Sequence, residues 1–318
     1  MSTETIKTGH GPKLAGVSGS ALSIPLRKQQ TIELAVCVAG HSFAPVTGFA
    51  SGRIVQTSML TGRTLVWFSC GAASAVALKL AAQKYPDVRG IYCDLSRDEH
   101  PDNVRFRADV EKWTGVKVEV IKSKLYNSVE EAWDARKFMS SVSGALCTVE
   151  MKKVPRFAYQ WAEDVHIFGL TVDEQDRIRS FEDDNPELFL EWTLRDAGLT
   201  KPDCLQMLRD AGIEIPVMYR LGFENNNCIG CVKATSPRYW NLVRKHFPDV
   251  FKRRAEQSRR LGAKLAKYKG VRIQLDELPE DATERVIEDL SCGPQCRAPQ
   301  LDDAKTQNAT PSATEAGR

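Results

Sequence analysis

The sequence predicts an α/β fold in which a parallel sheet has helices on both faces. Apolar segments typical of buried strands alternate with helical patterns over Thr64–Leu170, and this alternation is typical of parallel sheets. A loop of small residues joins the first strand to the first helix. Ligands of such sheets bind at the carboxyl ends of the strands, so the residues that follow each strand are the candidates for function.

The first strand and the first helix enclose the most informative loop. The strand Leu65–Phe68 runs into Ser69–Ser74, and a helical pattern follows over Ser74–Lys84. Small residues let an anion approach backbone N–H groups at the start of a helix, and Ser69 and Ser74 add hydroxyl donors. A tightly packed turn without a ligand is the alternative, because short glycine and serine motifs are weak signals.

The later elements follow in chain order. Strands are predicted at Val88–Cys93, Val116–Ile121 and Val165–Leu170, and helices at His100–Thr114, Val129–Phe138 and Val154–Ala162. The C-terminal part is predicted to be mainly helical, with helices at Glu187–Asp196, Lys201–Ala211 and Pro237–Leu261 and a last strand at Gly270–Leu275.

These patterns divide the chain into four parts. No periodicity is visible before Met59, and the C-terminal tail is rich in Ala, Gln, Thr, Asp and Pro. We therefore predict a poorly structured N-terminal segment at 1–58, an α/β domain at 59–182, a helical part at 183–275 and a flexible tail at 276–318.

Composition narrows the function classes. The net charge of +3 does not by itself indicate nucleic acid or an anionic membrane as a partner, and no apolar run is long enough for a membrane span. Nine cysteines stand without a disulfide pattern or a secretory signal. We therefore expect reduced thiols or metal ligands in a cytoplasmic protein.

Three further motifs lie at the ends of predicted strands or between predicted helices. Asp94–Asn103 (DLSRDEHPDN) puts acidic residues at a helix start, where the helix dipole already favours them. Cys147–Pro155 (CTVEMKKVP) carries Lys152, which suits phosphate or sulfate, although lysine pairs are commonly solvated. Gly169–Arg177 (GLTVDEQDR) follows the fourth predicted strand.

Two cysteine pairs lie towards the C-terminus. Cys228 and Cys231 have the C-x-x-C spacing of one edge of a metal or cluster site, with a structural or redox thiol pair as the alternative. Cys292 and Cys296 (CGPQC) stand just before the predicted tail. A thiol on a mobile segment suits a nucleophile, and a second metal half-site or an inert tail are the alternatives.

In this order the motifs resemble those of the phosphoadenylyl-sulfate (PAPS) reductase-like family. This family belongs to the PP-loop, or adenine nucleotide alpha-hydrolase-like, superfamily and includes DNA-phosphorothioation sulfurtransferase-like and phage members. The resemblance covers about Thr64–Gly262. Ser69, Gly71 and Ser74 match the family loop S-G-G-K-D-S, in which alanines at positions 72 and 73 replace the common Lys and Asp.

The later motifs match the family in part. The matching residues are Cys147, Thr148, Lys152 and Pro155 in C-[TC]-x-x-L-K-x-x-P, Gly169 and Glu174 in G-x-R-x-x-E-S-x-x-R, and Cys228, Gly230, Cys231 and Trp240 in the C-terminal part. Thr171 and Gln175 depart from the usual Arg and Ser, and Arg177 stands near the expected arginine.

The resemblance implies a nucleotide site and its chemistry. An adenine nucleotide, ATP or PAPS, is expected to bind at Ser69, Gly71, Ala72, Ser74, Asp94, Lys152, Gly169, Glu174 and Arg177. The pair Cys292-Gly293 resembles the C-terminal nucleophile of PAPS reductases. Cys292 and Lys152 are therefore the predicted catalytic residues.

The resemblance also implies a metal centre. A [4Fe–4S] cluster, with zinc as the alternative, is expected on Cys147, Cys228 and Cys231. Leucine stands at position 146, where related enzymes have a second cysteine. The fourth ligand is therefore left open between Cys204, Cys292 and Cys296.

Three functions are compatible with these motifs. The first is reduction of PAPS or adenylyl sulfate, or sulfur transfer, with a thioredoxin-like or other electron donor as partner. The second is an ATP-dependent adenylating sulfurtransferase that modifies nucleic acid, for which Lys252–Arg254 and Arg259-Arg260 would form a binding face unless they are simply solvated. The third is a nucleotide-sensing module without catalysis, as Ala72 and Ala73 suggest.

Overall fold

The computed structural model describes residues 62–141, 144–284 and 294, all within the unit Gln56–Arg318. The first half comprises β1 (Thr64–Trp67), α1 (Ala72–Lys84), β2 (Val88–Cys93), α2 (Asn103–Thr114), β3 (Val118–Ile121), α3 (Val129–Arg136), the hairpin strands β4 (Ser140–Ser141) and β5 (Gly144–Ala145), α4 (Leu146–Thr148), a π-helical turn (Val149–Lys153), α5 (Val154–Tyr159) and β6 (Val165–Phe168).

The second half is richer in helices. It comprises a 3₁₀ turn (Val172–Glu174), α6 (Gln175–Asp184), β7 (Phe189–Glu191), α7 (Thr193–Asp196), α8 (Lys201–Asp210), α9 (Val217–Arg220), α10 (Pro237–His246), α11 (Pro248–Arg260), β8 (Ala266–Tyr268), β9 (Val271–Ile273) and a 3₁₀ turn (Leu275–Glu277).

Several predicted features lie outside the described residues. They are the N-terminal segment 1–58, the domain start near Met59, most of the tail at 276–318, and the two cysteines Cys292 and Cys296. Pro294, between those two cysteines in the sequence, is described.

The central sheet has five strands in the order β3-β2-β1-β6-β7, and every neighbouring pair is parallel. Each residue of β1 and β6 is buried, as expected for strands covered on both faces. The predicted α/β fold with a parallel sheet is therefore confirmed. The strand order reverses between β1 and β6, and a crevice at the carboxyl ends of two such strands is where open α/β sheets bind ligands.

Alternate residues of β1 supply the two faces of the sheet. Val66 and Phe68 pack with α1, α2, α7 and α8, whereas Leu65 and Trp67 pack with Phe168 and the α6 face. A third apolar core lies away from the sheet, and it joins α3, β5 and the π-helical turn to α9–α11 and the β8–β9 hairpin. None of the described helices is long and apolar enough to cross a membrane.

The sheet extends beyond the boundary predicted at residue 182. The predicted helix Glu187–Asp196 is wrong in its first half, because Phe189–Glu191 is the parallel edge strand β7, paired with β6 from Val165↔Phe189 onwards. The apolar sequence there suits either element, and pairing with an existing strand decides between them. Beyond it, α8 packs against α1, so residues past 200 still cover the sheet.

Two C-terminal elements also differ from the prediction. The single helix predicted at Pro237–Leu261 is two helices, α10 and α11, because Pro248 lacks an N–H donor and forces Phe247 out of the helical conformation. The last predicted strand corresponds to β9, which pairs with β8 in a hairpin. The turn residues of this hairpin, Lys269 and Gly270, both have positive φ.

Candidate functional site

A short loop joins β1 to α1 at the point where the strand order reverses. The Ser74 hydroxyl accepts a hydrogen bond from the Ser69 N–H at 3.1 Å and donates one to the Gly71 carbonyl at 3.0 Å. Cys70, between them, has a φ of 56°, a left-handed conformation that non-glycine residues seldom adopt. Ser74 therefore shapes the loop from within, while the N-terminus of α1 provides the backbone donors that suit an anion.

Gly169 allows the end of β6 to lie directly against this loop. A side-chain carbon at position 169 would sit 2.6 Å from the Ser74 nitrogen and 2.7 Å from its Cα. At Gly71, by contrast, the nearest atoms would be Ser69 Oγ and Tyr219 Oη, both at 3.6 Å. The packing requirement for glycine thus lies at 169, whereas a side-chain carbon at 71 would make only ordinary van der Waals contacts.

Two residues that the sequence analysis did not single out reach this loop from the C-terminal half. Tyr219 Oη accepts a hydrogen bond from the Ala72 N–H at 3.3 Å, and burial raises the pKa of Tyr219 to about 12. The Asn226 side-chain amide donates to the Cys70 carbonyl and to Asn103 Oδ1, both at 2.7 Å. The Pro216–Phe223 stretch and the Asn225–Asn227 run were the available signals, but their spacing does not indicate a contact with the loop.

A cavity opens beside the loop at the carboxyl ends of β1 and β2. It is lined by Trp67, Phe68, Ser69, Ile91, Tyr92, Cys93, Glu99, Lys152 and Pro294. It brings together Ser69 and Lys152, two residues that were predicted to bind the nucleotide. Pro294 brings the C-terminal part of the chain to the same cavity.

A buried carboxyl and a buried ammonium group share this cavity. Glu99 Oε2 accepts hydrogen bonds from Tyr92 Oη and from Asn103 Nδ2, each at 2.7 Å. Burial raises the pKa of Glu99, and the positive charge of Lys152 opposes that rise. Lys152 is itself 5% exposed. A cation held in such a low-dielectric position interacts strongly with a bound anion.

Three of the predicted nucleotide-binding residues make local contacts instead. Asp94 accepts a hydrogen bond from the Ser96 N–H at 3.0 Å. Glu174 accepts a hydrogen bond from the Thr171 N–H at 2.9 Å, which completes a capping box, and it forms an ion pair with Arg177. None of the three lines the cavity. Their predicted role in binding stays a prediction.

The C-x-x-C segment forms a tight, well-supported loop. The Cys231 N–H donates to Tyr239 Oη at 2.7 Å, and Tyr239 Oη donates to the Cys228 carbonyl at 3.3 Å. Gly230 has a φ of 71° and packs against Arg254. Both thiols are buried, as is that of Cys147, and Cys147 and Cys228 belong to the same apolar core.

Within residues 62–141, 144–284 and 294, no group of three or more His, Cys, Asp or Glu side chains is placed to hold a metal ion. Cys147, Cys228 and Cys231 are among those residues and do not by themselves form such a group, whereas Cys292 and Cys296 lie outside them. The iron–sulfur or zinc centre stays a prediction. Cys204 packs in the separate core between α1 and α8, where burial raises its pKa to about 12. This position does not favour Cys204 as a fourth ligand.

The basic face predicted for Lys252–Arg254 and Arg259-Arg260 lies on α11, and Arg254 cannot belong to it because only 1% of that residue is exposed. Arg259 forms ion pairs with Asp276 and Glu277, and Arg260 forms one with Asp134. These pairs reduce the positive charge that this helix offers to nucleic acid.

No protein-family model matches the chain, and no curated protein matches it. The family is therefore a proposal, which rests on the order of the motifs and on the geometry described above.

Proposed function

We propose that the chain is a PAPS reductase-like enzyme that binds an adenine nucleotide and acts at a sulfur centre. The observation that carries this proposal is the cavity at the carboxyl ends of β1 and β2, where Ser69 and the buried Lys152 meet beside the loop at the start of α1. That position, next to the reversal of strand order, is where open parallel sheets bind their ligands.

The polar side of the cavity suits the phosphate part of a nucleotide. Ser69 and Lys152 line it close to the start of α1. The backbone N–H groups at the start of α1 and the Lys152 ammonium would stabilise the negative charge of a phosphate or sulfate group. These donors stay in place during reaction, so they would also stabilise a departing nucleotide phosphate.

The proposed reaction is attack of a thiolate on the sulfur of the activated sulfate. A bond forms between the two sulfur atoms, and the bond between sulfur and the phosphate oxygen breaks, so that the nucleotide leaves with the electron pair. The sequence predicts Cys292 as the nucleophile. It stands two residues before Pro294, which lines the cavity. A thioredoxin-like or other dithiol donor would then release the bound sulfonate as sulfite.

A nucleotide-sensing module is the second candidate. The observation that favours it is the hydrogen bond between Tyr219 Oη and the Ala72 N–H, because binding of a phosphate at that amide would disturb a contact with the C-terminal half. Alanines at 72 and 73 also stand where ATP-hydrolysing relatives of the resembled family have Lys and Asp.

Calorimetric titration of the full chain with AMP, ATP and PAPS tests the binding site. We expect Lys152→Gln to weaken nucleotide binding by about 10- to 100-fold, since a charged hydrogen bond contributes about 1.5–3 kcal/mol. Lys153→Gln is the matched control, because it removes the neighbouring ammonium, which does not line the cavity. Equal effects of the two variants, or no binding of any nucleotide, would place the site elsewhere.

Product analysis separates the functions. Sulfite and adenosine 3′,5′-bisphosphate formed from PAPS and a dithiol support the reductase, and loss of sulfite in Cys292→Ser supports the predicted nucleophile. AMP and pyrophosphate formed from ATP support the adenylating alternative. Tight binding without turnover of PAPS or ATP supports the sensor.

The metal prediction has its own test, which is anaerobic purification. Bound iron–sulfur would supply electron-transfer chemistry, and Cys147, Cys228 and Cys231 would hold it. A brown protein that loses its visible absorption in Cys228→Ala supports the cluster. Colourless protein with stoichiometric zinc supports zinc and rules the cluster out.

A further inference from the structure

A second group of unsatisfied donors lies behind the wall of the cavity, around Arg156 of α5. This residue is 0% exposed, and neither Nε nor Nη1 has a hydrogen-bond partner. Nη2 donates to Asn185 Oδ1 at 3.3 Å. Among the described residues no carboxylate forms an ion pair with Arg156, and the acidic group whose charge acts on it, Glu187, is exposed.

His166 of β6 adds another buried donor to the same region. It is 0% exposed, and its Nδ1 accepts a hydrogen bond from Trp67 Nε1 at 3.0 Å. Indole can only donate, so the proton of the neutral imidazole is on Nε2, which has no partner. Burial, together with the nearby charge of Arg156, lowers the pKa of His166 to about 4. The ring is therefore a neutral donor at physiological pH.

These donors need an acceptor. Burial lowers the pKa of Arg156 to about 10, so the guanidinium stays charged at neutral pH. The rings of Phe157 and Phe181 lie 4.6 Å and 5.7 Å from the guanidinium carbon, and they favour a cation without accepting its N–H bonds. A buried charge without a counter-charge or full hydrogen bonding is strongly unfavourable. An anion that accepts from these groups would supply the missing partners and the counter-charge.

The group adjoins the cavity through two of its lining residues. Trp67 donates to His166, and Cys93 packs in the same apolar cluster as Phe181, whose ring lies 5.7 Å from the guanidinium carbon of Arg156. Arg156 also follows Lys152 by four residues on the same continuous helical segment. Lys152 thus lines the cavity, and Arg156 lies fully buried about one helical turn further along the chain.

We propose that Arg156 and His166 form an inner binding site for a small oxyanion of the sulfate or phosphate class. Arg156 Nε and Nη1 and His166 Nε2 are its donors, and the guanidinium is its counter-charge. A tetrahedral oxyanion suits them because its oxygens accept several N–H bonds and pair with a planar guanidinium. The site does not depend on nucleotide binding by the outer cavity.

Thermal unfolding of the full chain tests this site. Melting temperatures are compared in sodium sulfate and in sodium chloride of equal ionic strength, for the wild type, Arg156→Met and the exposed control Arg179→Gln. Sulfate stabilises proteins generally by exclusion from their surfaces, and Arg156→Met reports that general effect. We expect the wild type and Arg179→Gln to gain at least about 5 °C more than Arg156→Met when sulfate is at 100 times its dissociation constant.

The chloride buffer gives a second expected result. Arg156→Met should melt at or above the wild-type temperature there, because methionine removes an uncompensated buried charge and keeps most of the volume. Equal sulfate gains in all three proteins would overturn the proposal. A large loss of stability of Arg156→Met in chloride would overturn it as well, since it would show that the arginine is already satisfied by the protein.

Nuclear magnetic resonance of the wild-type imidazoles needs no variant. Inorganic sulfate or phosphate should shift the Nε2 resonance of His166 in a saturable way, and Arg156→Lys should weaken that response at least tenfold. Titration with AMP distinguishes binding of a free oxyanion from binding of the phosphate group of a nucleotide. A His166 shift with AMP but with neither inorganic ion would overturn the inner site for a free oxyanion, whatever the outcome of the outer-site titrations.

Discussion

Single side chains from the C-terminal half contact the backbone of Ser69–Ser74, named here the phosphate loop after its proposed ligand. Tyr219 accepts from the Ala72 N–H, and Asn226 donates to the carbonyl of Cys70, the residue with a left-handed conformation. The Ala72 amide lies at the start of α1, where an anion would need it. A phosphate bound at the proposed site would therefore compete with Tyr219 for this donor.

Removing the Tyr219 hydroxyl should change stability and binding in opposite directions. In Tyr219→Phe the Ala72 N–H loses its partner, so we expect the free energy of unfolding to fall by about 1 kcal/mol. The freed amide is then available to the ligand, so nucleotide affinity should be equal to or higher than that of the wild type. Urea denaturation and calorimetry measure the two effects.

Tyr239→Phe is the matched control for this prediction. It removes a buried hydroxyl that supports the C-x-x-C loop and does not contact the phosphate loop. It should lower stability and leave nucleotide affinity unchanged. A tenfold loss of affinity in Tyr219→Phe would mean instead that the hydroxyl binds the nucleotide directly.

His166 makes stability depend on pH. Its pKa is lowered from 6.5 to about 4 in the folded chain, mainly by burial. The unfolded state therefore binds the proton more readily, and the resulting stability is present above pH 6.5 and is lost as the pH falls towards 4. The shift corresponds to on the order of 3 kcal/mol.

A His166→Asn variant tests this dependence. The asparagine carbonyl can still accept from the Trp67 indole, but the side chain does not titrate. We expect the variant to lose less stability than the wild type between pH 7 and pH 4, by on the order of 3 kcal/mol, in urea denaturation series. Parallel curves of stability against pH would show that folding does not lower the pKa of His166.

The junction of β6 with α1 depends on close backbone contact. Position 169 leaves no room for a side chain, because the added carbon would lie 2.6 Å from the Ser74 nitrogen. Gly71 has a φ of −93°, which any residue adopts, and its neighbours at 3.6 Å leave ordinary contact distances. Glycine is therefore required by packing at position 169, whereas packing does not require it at position 71.

Paired alanine variants test this difference. Gly169→Ala should lower the free energy of unfolding by about 1–3 kcal/mol, because the backbone of α1 must move away. Gly71→Ala should leave stability unchanged and weaken nucleotide binding, since its methyl group enters the space above the loop. Thermal unfolding and calorimetry distinguish them. Wild-type stability in Gly169→Ala would contradict the described contact between β6 and α1.

Among the elements, those with clear periodicity could be predicted, and those decided by long-range pairing could not. The segment Val88–Cys93 is a strand over the predicted range, since its apolar residues are bounded by turn residues. The sequence predicts helix at Phe189–Glu191 because the same residues fit either period, and only pairing with β6 distinguishes the strand from the helix. The break at Pro248 could be predicted from the sequence, because proline lacks the N–H donor that a continuous helix needs.

The site was predictable to a similar extent. Ser69 and Lys152 meet in one cavity as their motifs indicated: Ser69 follows the carboxyl end of β1, and the π-helical turn places Lys152 beside it. Arg156, Tyr219 and Asn226 could not be recognised, since their significance lies in contacts and missing partners rather than in spacing.

At the scale of the whole molecule, the two predicted domains share one core. Trp133 and Met151 of the first half pack in the same apolar cluster as Trp240 and Phe251 of the second. Neither half can bury these side chains alone. A boundary at residue 182 therefore describes the sequence motifs and does not separate independently stable parts.

Arg254 connects three distant segments at this shared core. Its guanidinium contacts Asp98, which precedes α2, at 3.4 Å, the Gly230 carbonyl in the C-x-x-C loop at 3.2 Å, and Glu130 at the start of α3. Asp98 is 8% exposed, and burial raises its pKa. Loss of the arginine would leave this carboxylate buried without its cation.

We therefore expect Arg254→Met to lower the free energy of unfolding by about 3–5 kcal/mol, as measured by urea denaturation. Arg253→Met is the matched control: its side chain is 54% exposed and 3.5 Å from the same Glu130, so its loss should stay below about 1 kcal/mol. In the double variant Asp98→Asn, Arg254→Met the orphaned charge is absent, while the amide oxygen can still accept from the Val129 N–H. The double variant should recover most of the lost stability, because the penalty comes from the unpaired carboxylate. If Arg254→Met loses no more than Arg253→Met, this buried network does not hold the two halves together.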